Sequence, residues 1–346
     1  MPWFPENKPK PTRRGDAEVL LRTNAVSLAY SIFMSFTVNS TGTLSFAKAF
    51  LLLLGLSSLL SFSACDSNRE TAPATAKEAF HTVTDDLGRK VKLPVHPKRI
   101  MGLDAAMTEM LYAVADTATI VGRTQNCDYP KAVLSKPVVN NYPMDYERLL
   151  SLKPDAVFAT EGIISAEVAA QVQKMGIPVY FQAYDSVSDV LRGLHDLGRL
   201  LKRGRESLTV IDTLQRKLRS FSADTTQAQQ KPKVLAIIWK DPIYVFGRNT
   251  IFTDKLRYIG ADNAVPEVFA QQSPALTREY ILKMNPDVII GGSFEEYEKS
   301  FFTLYPELRR INAYKNKRIY PVTDDLMSRP SPRVVESIAE LKSAIW

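Results

Sequence analysis

The sequence predicts an α/β protein of two βα lobes, each with a central, largely parallel sheet, joined by one long α-helix. Three observations carry this prediction. Strand-like and helix-like stretches alternate along most of the chain, the pattern that builds parallel sheets with helices on their faces. One unit is written twice, as "ERLLSLKPDAVFA" from Glu147 and "EYILKMNPDVIIG" from Glu279, each with its glutamate seven residues before a Pro-Asp pair. Between the two copies, apolar residues from Val187 to Leu218 recur at helical spacing.

The elements follow in order. "DDLGRKVKLP" (85–94) reads as a hairpin, with a glycine turn between a short Thr/Val strand and an alternating one. "RIMGL" reads as a buried strand, "AAMTEMLYAVA" as a helix with apolar residues three and four apart, and "TIVGRT" as the next strand. The first copy of the repeat supplies a helix and the strand "DAVFA"; a helix over 165–175 and the strand "IPVYF" complete a lobe spanning 80–184. Residues 185–222 are expected to form the helix between the lobes, weakened at Gly193, Gly198 and Gly204, with a bend expected near Gly204. The polar stretch 222–233 leads to a second lobe at 232–346. There "VLAIIW" is a buried strand, "IFTDKLRYIGADNAV" a helix closing on Gly260, and the second copy supplies helix and strand. "KRIYPV" is a late strand, and a last helix over 331–345 starts at Ser331-Pro332.

The first 64 residues read differently. Residues 49–64, "AFLLLLGLSSLLSFSA", follow Lys48 and precede Cys65; sixteen apolar and small residues are short for a bilayer span and fit the core of an export signal. "SFSAC" resembles a bacterial lipobox, which implies that Cys65 is lipidated and becomes the mature N-terminus. The other reading is an uncleaved anchor helped by the apolar stretch 25–38. Residues 1–64 are therefore read as leader and lipoprotein signal peptide and 65–79 as a flexible tether, and on either reading the remainder lies outside the cytoplasm. Cys127 is the one other cysteine, so a lipidated Cys65 leaves it without a partner.

Charge and motifs exclude several classes. The formal net charge is +7, part of it in the leader, and no Lys/Arg run interleaved with aromatics marks a nucleic-acid surface. The three histidines, His81, His96 and His195, lie apart and form no metal cage; HExxH, GxSxG, paired-cysteine spacing and a phosphate loop are all missing. No catalytic residues and no metal site are expected, and the chain reads as a binding protein rather than an enzyme.

"DDLGRKVKLPVHPKRI", the "LKPD" and "MNPD" units, the interlobe helix and "SRPSPRVVESIAEL" together resemble the substrate-binding proteins of ABC importers. The resemblance is to the class with one rigid interdomain helix, a periplasmic binding fold with a helical backbone, and covers about residues 80–345. Members carry siderophores, haem or cobalamin, and the sequence resembles the cobalamin binders most. The resemblance implies a lipid-anchored component, on the periplasmic side of a bacterial membrane, that delivers a corrinoid unaltered to a permease-ATPase complex. Cobalamin is then cargo, and no resident cofactor is implied. It also implies that Glu147 and Glu279, one per lobe, dock on permease arginines; the alternative is that each merely favours a helix N-terminus by its charge.

Ligands of two-lobed α/β proteins sit on the loops beyond strand ends. Those loops hold Tyr129, Tyr142, Trp239, Tyr244 and Phe246, flat apolar faces that suit a large amide-decorated ring. By resemblance Tyr129 in "DYP" and the pair Asp325 and Arg329 in "DLMSR" match ligand-contacting positions; the pair's spacing also permits an ion pair between them. "AQQSPALTRE" lacks the tryptophan found there in cobalamin binders, and Tyr142 stands in place of another. Two alternatives therefore stay open: a ferric-siderophore or haem carrier, using Arg123, Arg248 and Arg329 or a tyrosinate ligand, and a surface lipoprotein with no transport role.

Overall fold

The computed structural model describes residues 79–222 and 231–346. The expected signal segment and Cys65 lie outside these residues, as does most of the tether. The described residues belong to one compact unit, Thr75–Trp346.

The chain enters through an antiparallel hairpin, β1 (Phe80–Thr84) and β2 (Lys90–Pro94), which turns at Gly88 with a left-handed φ of 73°. Strands β3 (Ile100–Gly102), β4 (Ala156–Thr160) and β5 (Val179–Gln182) then form an all-parallel sheet in that order. Helices α1 (Ala105–Val114), α2 (Tyr146–Ser151) and α3 (Ala166–Lys174) connect and cover it. Each starts on a side-chain cap, from Asp104, Asp145 and Ser165 respectively, which satisfies an amide that the first turn leaves free. The expected strand "TIVGRT" is reduced to single bridges, Ile120 to Ile100 and Arg123 to Val138.

The second lobe corrects the expectation of a largely parallel sheet. Strand β6 (Lys233–Lys240) pairs parallel with β8 (Asp262–Asn263) and β10 (Val288–Ile290), and β10 with β11 (Ile319–Tyr320). The upper half of β6, however, folds back through Asp241-Pro242 onto β7 (Ile243–Val245), which pairs antiparallel with β9 (Ala275–Leu276) as well. A two-residue connection reaches only an antiparallel neighbour, so "KDPIYV" is a hairpin turn and strand rather than a loop. Helices α6 (Ile251–Tyr258) and α7 (Arg278–Met284) join these strands, and the short helices α8 (Phe294–Lys299), α9 (Phe301–Leu304) and α10 (Asn312–Lys315) lie between β10 and β11.

The repeat is visible in the backbone. Lys153 and Asn285, each just before the Pro-Asp pair, both adopt left-handed φ, 48° and 49°. The Asp155 carboxylate then accepts from the amides of Lys98 and Arg99, and Asp287 from that of Lys233. Each aspartate thus pins the start of a neighbouring strand, β3 in one lobe and β6 in the other. The doubled sequence is a doubled strand anchor.

The single long helix is also corrected. The chain forms α4 (Val187–Leu200) and α5 (Gly204–Ser222), separated at Lys202 by a left-handed φ of 58°. The break is explained by packing: α5 closes so tightly on α4 that a Cβ at Gly198 would collide with the Ser207 side chain. The expected bend is therefore a full turn. α5 touches α1 of the first lobe and both α6 and the last helix, α12 (Val334–Ile345), of the second.

Three apolar clusters result. One lies on the outer face of each sheet, and the third is shared by both lobes. The alternation of β-strands sorts the residues: Val234, Ala236, Val288 and Ile290 face the shared cluster, whereas Leu235, Ile237 and Ile289 face outward. Leu194 and Leu197 of α4, Leu214 and Leu218 of α5, Met107 of α1 and Leu256 of α6 meet there. A buried leucine contributes about 2 kcal/mol over an exposed one, so hinge motion that parted these residues would carry a substantial cost.

Candidate functional site

Five charged side chains from both lobes meet at one point. Glu109, on α1, is 2% exposed and accepts from Arg329 at 3.0 Å and from both Nε and Nη2 of Arg333. Arg329 also donates to Asp128 at 2.6 Å and to the Asn126 carbonyl at 3.0 Å, and pairs with Asp325 at 2.7 Å. Glu109, Asn126 and Asp128 belong to the first lobe, and Asp325, Arg329 and Arg333 to the second, so the network is a bridge between lobes. Tyr129 closes its edge, with the Arg333 guanidinium 4.2 Å from its ring centroid.

The sequence places these groups by simple means. Glu109 is the one acid on a helix whose other buried residues, Thr108 apart, are apolar, so it enters the interior because α1 does. Asp325 lies in the first turn of α11 (Asp324–Ser328), Arg329 caps its end, and Arg333 stands just before α12. The expected Asp325 and Arg329 pair exists, but Arg329 holds two further carboxylates. Burial lifts the Asp325 carboxyl above its ordinary range and the neighbouring Asp128 adds to this, with Arg329 opposing. Burial would raise Asp128 too, yet its bond to Arg329 prevails and holds it below that range.

Behind α11 lies Lys255 of α6, wholly buried, with Nζ donating to the carbonyls of Leu326 at 2.9 Å and Met327 at 3.0 Å. Burial pushes its pKa down to about 7, with Glu340 of α12 opposing the fall. Lys255 ties off the end of the helix that presents Arg329.

The remaining expected residues fall into separate places. Trp239 and Tyr244 are direct cross-strand partners at the β6–β7 hairpin; Trp239 is 40% exposed, and its indole N–H donates to the Asp241 carbonyl. Phe246 packs on Phe252 at 5.5 Å against the shared core. Tyr142, 67% exposed, stands on its own loop. Glu147 and Glu279 are both exposed and both lie in the first turn of their helices, α2 and α7. Backbone N–H donation and the adjacent Arg278 guanidinium, 3.0 Å away, hold the Glu279 carboxyl below its usual range. Cys127 is buried, its thiol 3.1 Å from Thr124 Oγ1 and 3.3 Å from Thr108 Oγ1, and burial pushes its pKa up. Among the described residues no cluster of His, Cys, Asp and Glu has the arrangement of a metal site.

Sequence reasoning missed Glu109, Asp128 and Arg333. A lone acid amid helically spaced methionines and leucines was the available signal for Glu109, and the placing of Arg333 four residues after Arg329, across Pro330-Ser331-Pro332, was the signal for the second arginine.

Two α/β lobes share a helical core, and a polar bridge of side chains from both joins them where they meet. The chain matches the model of the periplasmic binding protein family over residues 100–326 and belongs to that family. It is 30% identical over 279 residues to YvrC of Bacillus subtilis, an uncharacterized ABC transporter substrate-binding lipoprotein, covering 78% of this chain and 87% of that one. It is 20% identical over 245 residues to a vitamin B12-binding protein of Vibrio parahaemolyticus, covering 70% and 88%. Among solved structures, a possible iron-binding (periplasmic solute-binding) protein from Staphylococcus epidermidis superposes with a TM-score of 0.65 at 28% identity, over 72% of this chain and 99% of that one. The chain is thus a non-catalytic substrate-binding protein of an ABC importer, from an exported family whose members take corrinoid, iron-siderophore or haem ligands to a permease-ATPase.

Proposed function

We propose that this protein is the lipid-anchored binding component of an importer for cobalamin or a related corrinoid, received between lobes 80–184 and 232–346. The observation that carries the reading is the charge balance of the interlobe bridge: two arginines against three carboxylates, so the wall offers hydrogen-bonding groups without an unpaired positive field. A corrinoid rimmed with neutral amides suits such a wall, because amides both donate to carboxylates and accept from guanidinium groups. Arg123 and Arg248, the other candidate anion holders, spend their guanidinium groups inside their own lobes, on the carbonyls of Thr124 and Cys127 and of Asn263 and Val265. Tyr129, Tyr142, Trp239, Tyr244 and Phe246 supply the apolar faces in this reading. Cys65 carries the lipid, and Glu147 and Glu279 meet the permease, where exposed charges fix register and association rate more than affinity.

A ferric-siderophore cargo is the second reading, favoured by the likeness at 28% identity to the possible iron-binding protein. Titration with cyanocobalamin decides between them. Asp325→Ala and Arg329→Ala should each weaken cyanocobalamin binding by about 1–3 kcal/mol, the usual cost of depriving a buried polar group of its hydrogen-bonding partner. Binding of a ferric siderophore with no response to cyanocobalamin would replace the first reading by the second.

A further inference from the structure

We propose that Glu109 is a specificity-determining residue that bars anionic guests from the cleft by occupying both arginines of the facing lobe from within. The proposal rests on the reading that the guest lies between the lobes. Three features single out Glu109 from the other acids of the bridge. It is the one deeply buried carboxylate, at 2% exposure against 59% for Asp128 and 37% for Asp325. It alone contacts Arg329 and Arg333 together, taking an Nη1 donor of Arg329 and the Nε–Nη2 edge of Arg333, the edge that a carboxylate from outside would fork onto. It stands on α1, whose neighbouring turns are locked in the shared core, so it cannot withdraw as a loop residue can.

The remaining contacts of the two arginines show what its removal would leave. Arg329 keeps Asp128, Asp325 and the Asn126 carbonyl, all at the rim. Arg333 keeps the face of Tyr129, a cation–π contact, and the charges of Asp325 and Glu336, with neither of which it forms a salt bridge. Arg333, 13% exposed, would then be a nearly dry cation with its donors free at the lobe junction. Such a group binds a carboxylate in a forked pair far more strongly than an exposed arginine does. The native glutamate is therefore a built-in occupant of an anion site, and the site's preference for neutral guests follows from one side chain.

The test uses haemin, whose two carboxylates make it an anionic probe of suitable size, with the purified exported protein at low salt. Wild type should bind haemin weakly. Glu109→Gln should bind it at least tenfold more tightly, and the gain should shrink as salt is raised. The double variant Glu109→Gln with Arg333→Gln, which removes one charge of each sign, should return to the wild-type value. Glu109→Asp, which keeps the charge but shortens its reach to the two guanidinium groups, should give a smaller gain of about threefold and serves if Glu109→Gln does not fold; a folded Glu109→Asp with no gain would then count against the proposal. Tight haemin binding by wild type, or a folded Glu109→Gln within twofold of it, overturns the proposal, as does a double variant that keeps the gain. Parallel titration with cyanocobalamin reports on the corrinoid reading separately, since the haemin comparison requires no corrinoid to bind.

Discussion

Replacing Lys255 with methionine should remove a specific pH dependence of stability. The Nζ group is buried, makes no salt bridge among the described residues and donates to two carbonyls. In the unfolded chain the amine keeps its proton up to about 10.5, whereas the folded protein releases it at about 7. Between those limits the unfolded state binds more protons, so stability rises with pH; the contribution is complete above about 10.5 and is lost as pH falls through about 7. At about 1.4 kcal/mol per pH unit the whole gap amounts to about 5 kcal/mol, of which about 2 kcal/mol develops between pH 7 and pH 9. Lys255→Met also strips the Leu326 and Met327 carbonyls of their donor, at about 1–3 kcal/mol each, but that loss does not vary with pH. Urea denaturation of both proteins across pH 6–9 therefore separates the two effects. The wild-type minus variant difference should climb by about 2 kcal/mol from pH 7 to pH 9. A flat difference would show that the lysine does not change protonation in this range, and the argument from burial would fail.

Other expectations are narrower. Glu147→Ala combined with Glu279→Ala should abolish stimulation of the cognate permease-ATPase while leaving ligand affinity unchanged; full stimulation would remove the docking role. Gly198→Ala should destabilise the protein by about 1–3 kcal/mol in chemical denaturation, because its Cβ collides with Ser207 where α4 and α5 meet; a neutral effect would mean that this packing yields easily. Cys127 should resist a thiol reagent in the folded protein and react at once in denaturant, since its thiol is buried and its pKa raised; fast native labelling would contradict its burial.

What the sequence disclosed and what it hid have separate causes. The repeat was legible because the strand anchor needs a fixed grammar: an apolar helix, a left-handed residue, proline, then an aspartate that caps a neighbouring strand. The shared core was legible in part, since the leucines of α4 and α5 keep helical spacing on both sides of the break. The break was legible only as a bend near Gly204; its full extent was not, because a left-handed lysine at 202 carries no compositional mark and Gly198 is a packing glycine, not a helix stop. The mixed sheet was missed because a two-residue turn at Asp241-Pro242 looks like the start of a loop until the pairing partner is known. At the site, Arg329 with Asp325 was a local pair and could be read from spacing. Glu109 lies 220 residues from Arg329, and nothing local records that they meet in space.

The central claim is that a bulky, largely uncharged guest lies between the two lobes and is released unaltered. Calorimetric titration of the exported protein with cyanocobalamin tests it most directly, with mass analysis of the recovered ligand. One molecule bound per chain, a negative heat-capacity change from buried apolar surface, and intact ligand after release are the results expected. The absence of binding heat with cyanocobalamin, or a chemically altered ligand, would contradict the account.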